Sequence, residues 1–247
     1  MNITVLTFDT IDSTNTEAMK QARLGADEGL CIVARQQTAG RGRHGRIWVS
    51  AKDAGLYFSI VLRPNIEMRF LPLITLMTGV AVHDTLAEFS IKPDIKWVND
   101  ILVNEKKISG ILAETAETPK GIAVIVGIGI NIRSSNFPED IADIATSIEA
   151  QSGQTPTPDE LANALTRFLS YFYSILSGEN GPKEIHDEWR QRSTYFSGKS
   201  VRVVLENESI RGVTDGLEEN GALRVRKDNG SVTIIQAGDV ERVRPTD

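Results

Sequence analysis

The sequence predicts an α+β fold: a mixed or antiparallel sheet with flanking helices, followed by a small C-terminal β-barrel. Two observations predict it. Up to about residue 194, the order of helical and strand-like segments is that of an α+β domain. From Tyr195 onward, short β runs are separated by the hairpin signals Asn220-Gly221 and Asn229-Gly230. We therefore expect two domains, residues 1–194 and residues 195–247.

The first third of the chain carries clear local signals. Strands are expected at 3–8, where polar and apolar residues alternate, and at 30–34 and 56–62, which are short and apolar. A helix should begin at Ser13-Thr14-Asn15, where Thr14 and Glu17 have the spacing of a capping box, and end near Gly25. A second helix is expected over 71–89, with Pro72 in its first turn.

The rest of the chain is divided by turn signals. Short strands are expected at 95–97, 101–103 and 108–114, and a central, β-branched strand at 121–132. Helices are expected after Pro138, over 158–176 and around 183–192. The C-terminal domain should contain strands at 201–205, 210–217, 223–226 and 232–235.

Composition limits the classes of function. The net charge of −6 argues against nucleic acid as the main partner, because no overall positive field would hold a phosphate backbone. Cys31 is the only cysteine, which excludes an intrachain disulfide and a cysteine-based zinc site. The three histidines are scattered, so we expect no protein-held transition metal. There is no signal-peptide pattern and no apolar stretch long enough for a bilayer, so we expect a cytoplasmic protein without a membrane segment.

The segment Gly40-Arg-Gly-Arg-His-Gly-Arg46, called the arginine loop below, is the strongest functional signal. Glycines permit close backbone approach, and arginines offer forked donors that suit carboxylate and phosphate oxygens. Because the three arginines repel one another, we expect the loop to be mobile when empty and to order around an anionic ligand. An exposed flexible loop, or a contact to nucleic acid, is the alternative interpretation.

Four further features remain ambiguous when each is taken alone. Lys107 opens an apolar strand, so it either extends to solvent or points into a polar cleft. The glycines of Val126-Gly-Ile-Gly-Ile-Asn131 indicate either a bulge or the close approach of another group. Ser13-Thr14-Asn15 is typical of a helix cap, and Trp48 of a core residue.

Together, five segments in this order and spacing resemble biotin protein ligases. They are Ser13-Thr-Asn15, Gln37 to Trp48, Lys96-Trp-Val-Asn-Asp100, Lys107 to Glu114, and Gly127-Ile-Gly-Ile-Asn131. The resemblance covers about residues 8–135, and the C-terminal β domain agrees with it. Two positions depart from the family pattern: Val98, where the family usually has proline, and His44, where a further arginine is common.

The resemblance implies a class II synthetase-like catalytic domain, an SH3-like C-terminal barrel and a two-step reaction. Biotin and ATP would form biotinyl-5'-adenylate, and a lysine of a biotin carboxyl carrier domain would then take the biotin. Expected to bind biotin are Ser13, Thr14, Asn15, Gln37, Arg41, Gly42, Arg43, Lys107 and Gly110; expected to bind ATP are Arg41, Arg43, Trp48, Asn99, Gly129 and Asn131; and expected to act in catalysis are Arg43, Lys107 and Asp100.

The resemblance also bears on cofactors and partners. Mg²⁺ would travel with the ATP phosphates, near Asp100, and needs few protein ligands. A homodimer through the central sheet is compatible with the family. Since the first motif begins at Ser13, no DNA-binding domain is expected before it and DNA is not an expected partner. The role of the C-terminal domain is open, with Arg242 or Arg244 as candidates for reaching the nucleotide.

Two alternatives remain at this point. A lipoate or octanoate ligase or transferase has a similar fold and uses a lysine in a similar place, although the arginine loop favours biotin. A nucleic-acid-binding module with an arginine-glycine loop and a β-barrel is the alternative from another class. The net negative charge and the absence of interleaved aromatic residues in the loop argue against it.

Overall fold

The computed structural model of the chain describes residues 1–134, 137–205 and 208–242, the last without its side chain. The strands are β1 Thr4–Phe8, β2 Leu30–Ala34, β3 Gly55–Leu62, β4 Asp94–Lys96, β5 Asp100–Val103, β6 Lys106–Thr118, β7 Gly121–Asn131, β8 Ser197–Val204, β9 Ser209–Leu217, β10 Leu223–Arg226, β11 Val232–Ile235 and β12 Asp239–Arg242. They form a seven-stranded sheet with the order β1-β2-β3-β7-β6-β5-β4 and a five-stranded sheet with the order β11-β10-β9-β8-β12. The helices are α1 Thr14–Arg23, α2 Leu73–Glu88, α3 Ile148–Ser152, α4 Pro158–Leu176 and α5 Gly181–Gln191.

The large sheet is mixed, and the predicted α+β class is confirmed. The β1–β2 pair is parallel. The other neighbouring pairs, β2–β3, β3–β7, β7–β6, β6–β5 and β5–β4, are antiparallel. Helices cover both faces of the centre, which is why every residue of β3 is buried. On one face α2, α4 and α5 build the main core. On the other, Ala18 and Ala22 of α1 pack on Ile32, Val61 and Ile125.

The long helices begin and end where their sequences allow. In α4, Thr157 and Glu160 form a complete capping box and Pro158 occupies the first turn. Most of α2 is buried because it lies between the sheet and two other helices, so its apolar residues are not confined to one stripe. Among the described helices, none combines the length and the apolar character that crossing a membrane requires.

The C-terminal strands form an antiparallel sheet, as expected of a small SH3-like β domain. This sheet packs directly against the first part of the chain: the buried Trp97 indole donates to the Gly221 carbonyl at 2.9 Å. A Cβ on Gly221 would lie 2.8 Å from Leu76, so the Asn220-Gly221 turn sits tightly on α2. The peptide bond between Trp97 and Val98 is cis.

Two local predictions are misplaced, and one strand was not predicted. The helix expected after Pro138 begins only at Ile148, as the short α3, because residues 139–144 form turns and the chain then pairs with β6: Lys107 N donates to the Ile144 carbonyl at 2.8 Å. Ser13, not Thr14, is the N-cap of α1, and no side chain caps it. The strand β12 has no apolar alternation strong enough to predict it, and it forms by pairing with β8.

Candidate active site

One large cavity, of about 1380 Å³, lies between the buried N-terminal end of α1, the central sheet, the arginine loop and the strand β12. Every residue that the sequence analysis assigned to a site lines this cavity. They are Ser13, Thr14, Asn15, Gln37, Arg41, Gly42, Arg43, Trp48, Asn99, Asp100, Lys107, Gly110, Gly129 and Asn131. The structure thus brings together segments that are about 120 residues apart in the sequence.

The floor of the cavity is flat because glycines occupy neighbouring strands. Gly129 on β7 pairs with Gly110 on β6, and Gly127 pairs with Ser59 on β3. A Cβ on Gly127 would lie 2.2 Å from Asn15 Oδ1, and a Cβ on Gly129 would lie 2.3 Å from the Trp48 indole. Close approach of another group, not a bulge, therefore explains the glycines of β7.

Trp48 lies on this floor and is partly buried, so the interpretation as a core residue is wrong. Its ring packs over Gly129 and Gly110, and the Lys107 ammonium lies 5.5 Å from the ring centroid. The indole Nε1 is buried and has no hydrogen-bond partner among the described residues. The ring thus brings an aromatic surface to the cavity, while its N–H group lies against the glycine floor.

A neutral polar pocket forms where α1 begins. Gln37 Oε1 accepts from Thr14 N at 2.8 Å and from Thr14 Oγ1 at 3.1 Å, while Gln37 Nε2 donates to Ser50 Oγ at 2.8 Å. Asn15 Nδ2 donates to the Leu112 carbonyl at 3.3 Å. These bonds hold uncharged donors and acceptors in fixed directions, which suits a polar but uncharged ligand group.

The arginine loop is held by carboxylates from outside it. Arg41 makes two hydrogen bonds to Glu114, at 3.0 and 2.7 Å, and Arg46 forms an ion pair with Asp239. Arg43 Nη1 donates to Asn99 Oδ1 at 3.0 Å and to the Gly238 carbonyl at 3.3 Å. The expectation of a mobile loop took into account only the repulsion between its arginines. It did not include their carboxylate partners, Glu114 and Asp239, which lie 73 and 193 residues further along the chain.

Lys107 points into the cavity, where a carboxylate joins two ammonium groups. Asp100 Oδ1 lies 2.5 Å from Lys107 Nζ, and Oδ2 lies 2.9 Å from Lys96 Nζ. Burial alone would raise the pKa of Asp100, but the charges of Lys107 and Lys96 outweigh it and hold this pKa below its ordinary value. The cluster therefore keeps one net positive charge for an anion.

The amide of Asn131 supports the cavity wall. Its Nδ2 donates to the Thr146 carbonyl at 3.0 Å and to the Lys107 carbonyl at 3.5 Å. The amide of Asn99 is likewise engaged, since Nδ2 donates to the Ile111 carbonyl at 2.8 Å while Oδ1 receives Arg43. Both asparagines fix neighbouring segments at the edge of the cavity.

Four residues of the site were not predicted as site residues. Lys96 and Glu114 stand inside the quoted motifs, so their position was a usable signal. Ser59 and Asp239 gave no signal: Ser59 Oγ lies 2.6 Å from Asn15 Oδ1 only because β3 pairs with β7, and Asp239 reaches the arginines across the two sheets. Arg244 and the side chain of Arg242 lie outside the described residues.

The chemistry of the cavity follows from these contacts. Cationic groups from three segments, Lys96, Arg43 and Lys107, stand beside a neutral polar pocket on a glycine floor. The described residues include no group of three or more His, Cys, Asp or Glu side chains that could hold a metal ion. The arrangement is suited to holding two anionic ligands side by side and to stabilising negative charge between them.

Two family models match the chain. The model described as "Biotin/lipoate A/B protein ligase family" matches residues 7–131, which contain most of the cavity lining. The model described as "Biotin protein ligase C terminal domain" matches residues 196–243. The two matches fall on the large sheet and on the small sheet respectively.

Individual relatives agree with the family models. The chain is 31% identical to the biotin--[acetyl-CoA-carboxylase] ligase of Mycobacterium tuberculosis, covering 94% of this chain and 86% of that protein. It is 36% identical to the bifunctional ligase/repressor BirA of Bacillus spizizenii, covering 94% of this chain and 72% of that protein. The biotin protein ligase of Aquifex aeolicus in complex with biotin and ATP superimposes with a TM-score of 0.85 at 30% identity, covering 97% and 99% of the two chains. The resemblance inferred from the motifs is confirmed, and the chain belongs to the biotin/lipoate A/B protein ligase family, with the C-terminal domain of the biotin protein ligases.

Proposed function

We propose that this protein is an ATP-dependent biotin protein ligase that acts on a lysine of a biotin carboxyl carrier domain. In the first step, a biotin carboxylate oxygen attacks the α-phosphorus of ATP, and pyrophosphate leaves. In the second step, the carrier lysine, as a neutral amine, attacks the carbonyl carbon of biotinyl-5'-adenylate, AMP leaves, and the nitrogen loses a proton as the amide bond forms. The observation that carries the proposal is the single cavity in which a neutral polar pocket adjoins the Lys96–Asp100–Lys107 cluster.

The polar pocket suits the uncharged ureido head of biotin. Thr14, Asn15 and Gln37 offer donors and acceptors whose directions are already fixed by protein partners, and Ser13 lines the same pocket. The acyl chain would then extend over Gly110 beneath Gly42 of the arginine loop, toward Lys107. A preformed pocket of this kind lowers the entropic cost of orienting the carboxylate for attack.

Lys107 and Arg43 neutralise the charge that develops in the first step. Lys107 shares one carboxylate with Lys96, so it can turn from Asp100 to the ligand while Asp100 keeps a counter-ion. Arg43 stands across the cavity on the loop, and donors aimed at a developing anion accelerate such steps. Asp100, held ionised by its low pKa, attracts the incoming carrier ammonium in the second step.

ATP would lie on the other part of the floor. Trp48 offers a face for the adenine above Gly129, and Asn99 and Asn131 line the same side. Arg41 and Arg43 close this side from the loop. Stacking of a base on an aromatic ring is worth about 1–3 kcal/mol, which makes Trp48 the main determinant of affinity for the base.

Mg²⁺ fits this site only as part of the ATP complex. Both carboxylate oxygens of Asp100 are engaged by lysines, and the described residues offer no acidic cage. The metal would neutralise phosphate charge while the phosphates supply most of its ligands. We therefore propose magnesium as a partner of ATP and assign it no ligand in the protein.

The remaining assignments are also proposals. The carrier domain of a carboxylase is the expected protein partner, and the exposed edge strand β1 of the large sheet is a place where two copies could pair as a homodimer. The division of the chain into a catalytic domain, 1–194, and a C-terminal domain, 195–247, and a cytoplasmic location continue as predictions.

The test is mass spectrometry of a biotin carboxyl carrier domain after incubation with the protein, ATP, Mg²⁺ and biotin. We expect a mass gain equal to one biotinyl group, dependent on ATP. Parallel reactions with lipoate and octanoate on their own carrier domains test the alternative, because the family model covers biotin and lipoate ligases. Modification by lipoate and not by biotin would overturn the proposal.

A further inference from the structure

Glu114 is a carboxylate at the edge of a cavity built for anions, and it holds two parts of the site at once. Its two oxygens receive both Arg41 Nη1 and Nη2, at 3.0 and 2.7 Å. Its Oε2 also accepts from Asn15 Nδ2, at 2.9 Å. Its side chain is 26% exposed and that of Arg41 is 41% exposed, so the pair is only partly screened by water.

The hydrogen bond from Asn15 to Glu114 fixes the orientation of the Asn15 side-chain amide. The two Nδ2 hydrogens go to Glu114 and to the Leu112 carbonyl, while Oδ1 lies 2.6 Å from Ser59 Oγ and above Gly127. A flipped amide would place its oxygen against the Glu114 carboxylate, where two acceptors repel each other. Glu114 therefore keeps the Asn15 carbonyl oxygen turned to the floor of the pocket.

The bond to Arg41 holds the first arginine of the loop against β6. Both forks of its guanidinium are used by Glu114, in the bidentate geometry that is strongest between arginine and carboxylate. The guanidinium is therefore engaged by protein and not directed at a ligand anion. The adjacent backbone continues this closure, since Gly42 N donates to the Arg46 carbonyl at 2.7 Å.

We propose that Glu114 is a positioning residue that couples closure of the arginine loop, through Arg41, to the orientation of Asn15. The inference rests on the proposed function and adds a role for Arg41. We call this residue the latch, because its ion pair with Glu114 holds the loop closed, while Arg43 and Lys107 neutralise the charge of the ligands. Loss of Glu114 weakens biotin binding and opens the loop, while the contact between Trp48 and Gly129 on the nucleotide side of the floor is kept, so ATP binding is weakened less than biotin binding.

The experiment compares Glu114→Gln with the matched control Glu117→Gln, an exposed residue on the same strand. A glutamine is uncharged and keeps only one acceptor oxygen, so it loses at least one of the three hydrogen bonds that Glu114 accepts and the charge that strengthens them. We expect the KM for biotin in ATP–pyrophosphate exchange to rise about tenfold, the effect of one charge-assisted hydrogen bond, with a smaller rise in the KM for ATP because the loop also closes the nucleotide side. Without ligands, trypsin should cut after Arg43 and Arg46 faster than in the wild type.

Arg41→Gln tests the latch from its exposed side and guards against misfolding of Glu114→Gln. It should reproduce the faster cleavage after Arg46, and Glu117→Gln should match the wild type in every readout. An unchanged KM for biotin in Glu114→Gln, or equal rises in the KM values for biotin and ATP, would overturn the inference. If the wild type itself shows no biotin-dependent exchange, the proposed function is wrong, which distinguishes this outcome from a failure of the role assigned to Glu114.

Discussion

Two glycines on β7 should separate the two substrates of the cavity. Gly127 lies under Asn15 and Gly129 lies under Trp48, two residues apart on one strand. We predict that Gly129→Ala weakens ATP binding and that Gly127→Ala weakens biotin binding. Each variant adds a single methyl group, so each serves as the control for the other.

The magnitude follows from the contacts. A Cβ at position 129 would lie 2.3 to 2.5 Å from three atoms of the Trp48 indole, whereas ordinary van der Waals contact begins at 3.4 Å. The indole must therefore move by about 1 Å, and a packed ring can do so only by losing its contact with β7. If the adenine stacks on this ring, the loss is about 1–3 kcal/mol, or about 5- to 150-fold in affinity for ATP.

The Gly127→Ala variant meets a different group. Its Cβ would lie 2.2 Å from Asn15 Oδ1, an atom fixed by Ser59, so the amide has to leave the pocket. A lost hydrogen bond with an uncharged ligand group reduces biotin affinity by about 0.5–1.5 kcal/mol.

The assay is calorimetric titration of each variant with biotin and with ATP, after thermal melts have shown that both variants fold. Trp48→Ala should reproduce the effect of Gly129→Ala on ATP binding and add nothing to it in the double variant. The assignment of the floor is refuted if both alanine variants weaken the same substrate, or if Gly129→Ala leaves ATP binding intact.

Three further predictions concern charge and burial. Lys107→Ala and Arg43→Ala should each slow adenylate formation about 100- to 1000-fold, as the loss of an oxyanion donor does, and near-normal single-turnover rates would contradict the assigned roles. Asp84 is paired with Arg192 at 2.7 Å. Burial alone would raise the pKa of Asp84, but His83 and Arg192 outweigh it and lower this pKa below its ordinary value. The stabilisation from the ionised Asp84 is therefore present above the ordinary aspartate pKa and is lost as the pH falls toward the lowered pKa. Urea unfolding should therefore show Asp84→Asn less stable than wild type by about 1–3 kcal/mol at pH 7, with a smaller difference at acid pH; a constant difference would contradict the linkage. Burial raises the pKa of the Cys31 thiol to about 12, so the native protein should resist thiol reagents at pH 8 and react only after denaturation; rapid native labelling would show that the core opens there.

The parts of the site that the sequence predicted are those fixed by local motifs. Lys107, Asp100 and Asn99 stand near each other in the chain, and the short turn between β5 and β6 brings them to one edge. The helix α4 was predicted at its observed bounds because its helical periodicity lies within one segment; the structure adds a capping box at its start.

The parts that were missed depend on pairing between distant segments. Ser59 enters the site through the register of β3 with β7, and Asp239 through the packing of the small sheet on the arginine loop. The segment after Pro138 has helical composition, but turns and backbone pairing with Lys107 delay the helix until Ile148. Local sequence patterns do not specify such long-range partners.

In the proposed mechanism, Lys107 and Arg43 hold the biotin carboxylate and the α-phosphate of ATP side by side. The most direct test of this mechanism is a crystal structure of the protein with biotin and a non-hydrolysable ATP analogue. We predict that Lys107 Nζ leaves Asp100 and lies within hydrogen-bond distance, about 3 Å, of both the biotin carboxylate and the α-phosphate. Asp100 should keep Lys96, and Arg41 should keep Glu114. Lys107 still bound to Asp100, with the two ligands in separate places, would contradict the mechanism.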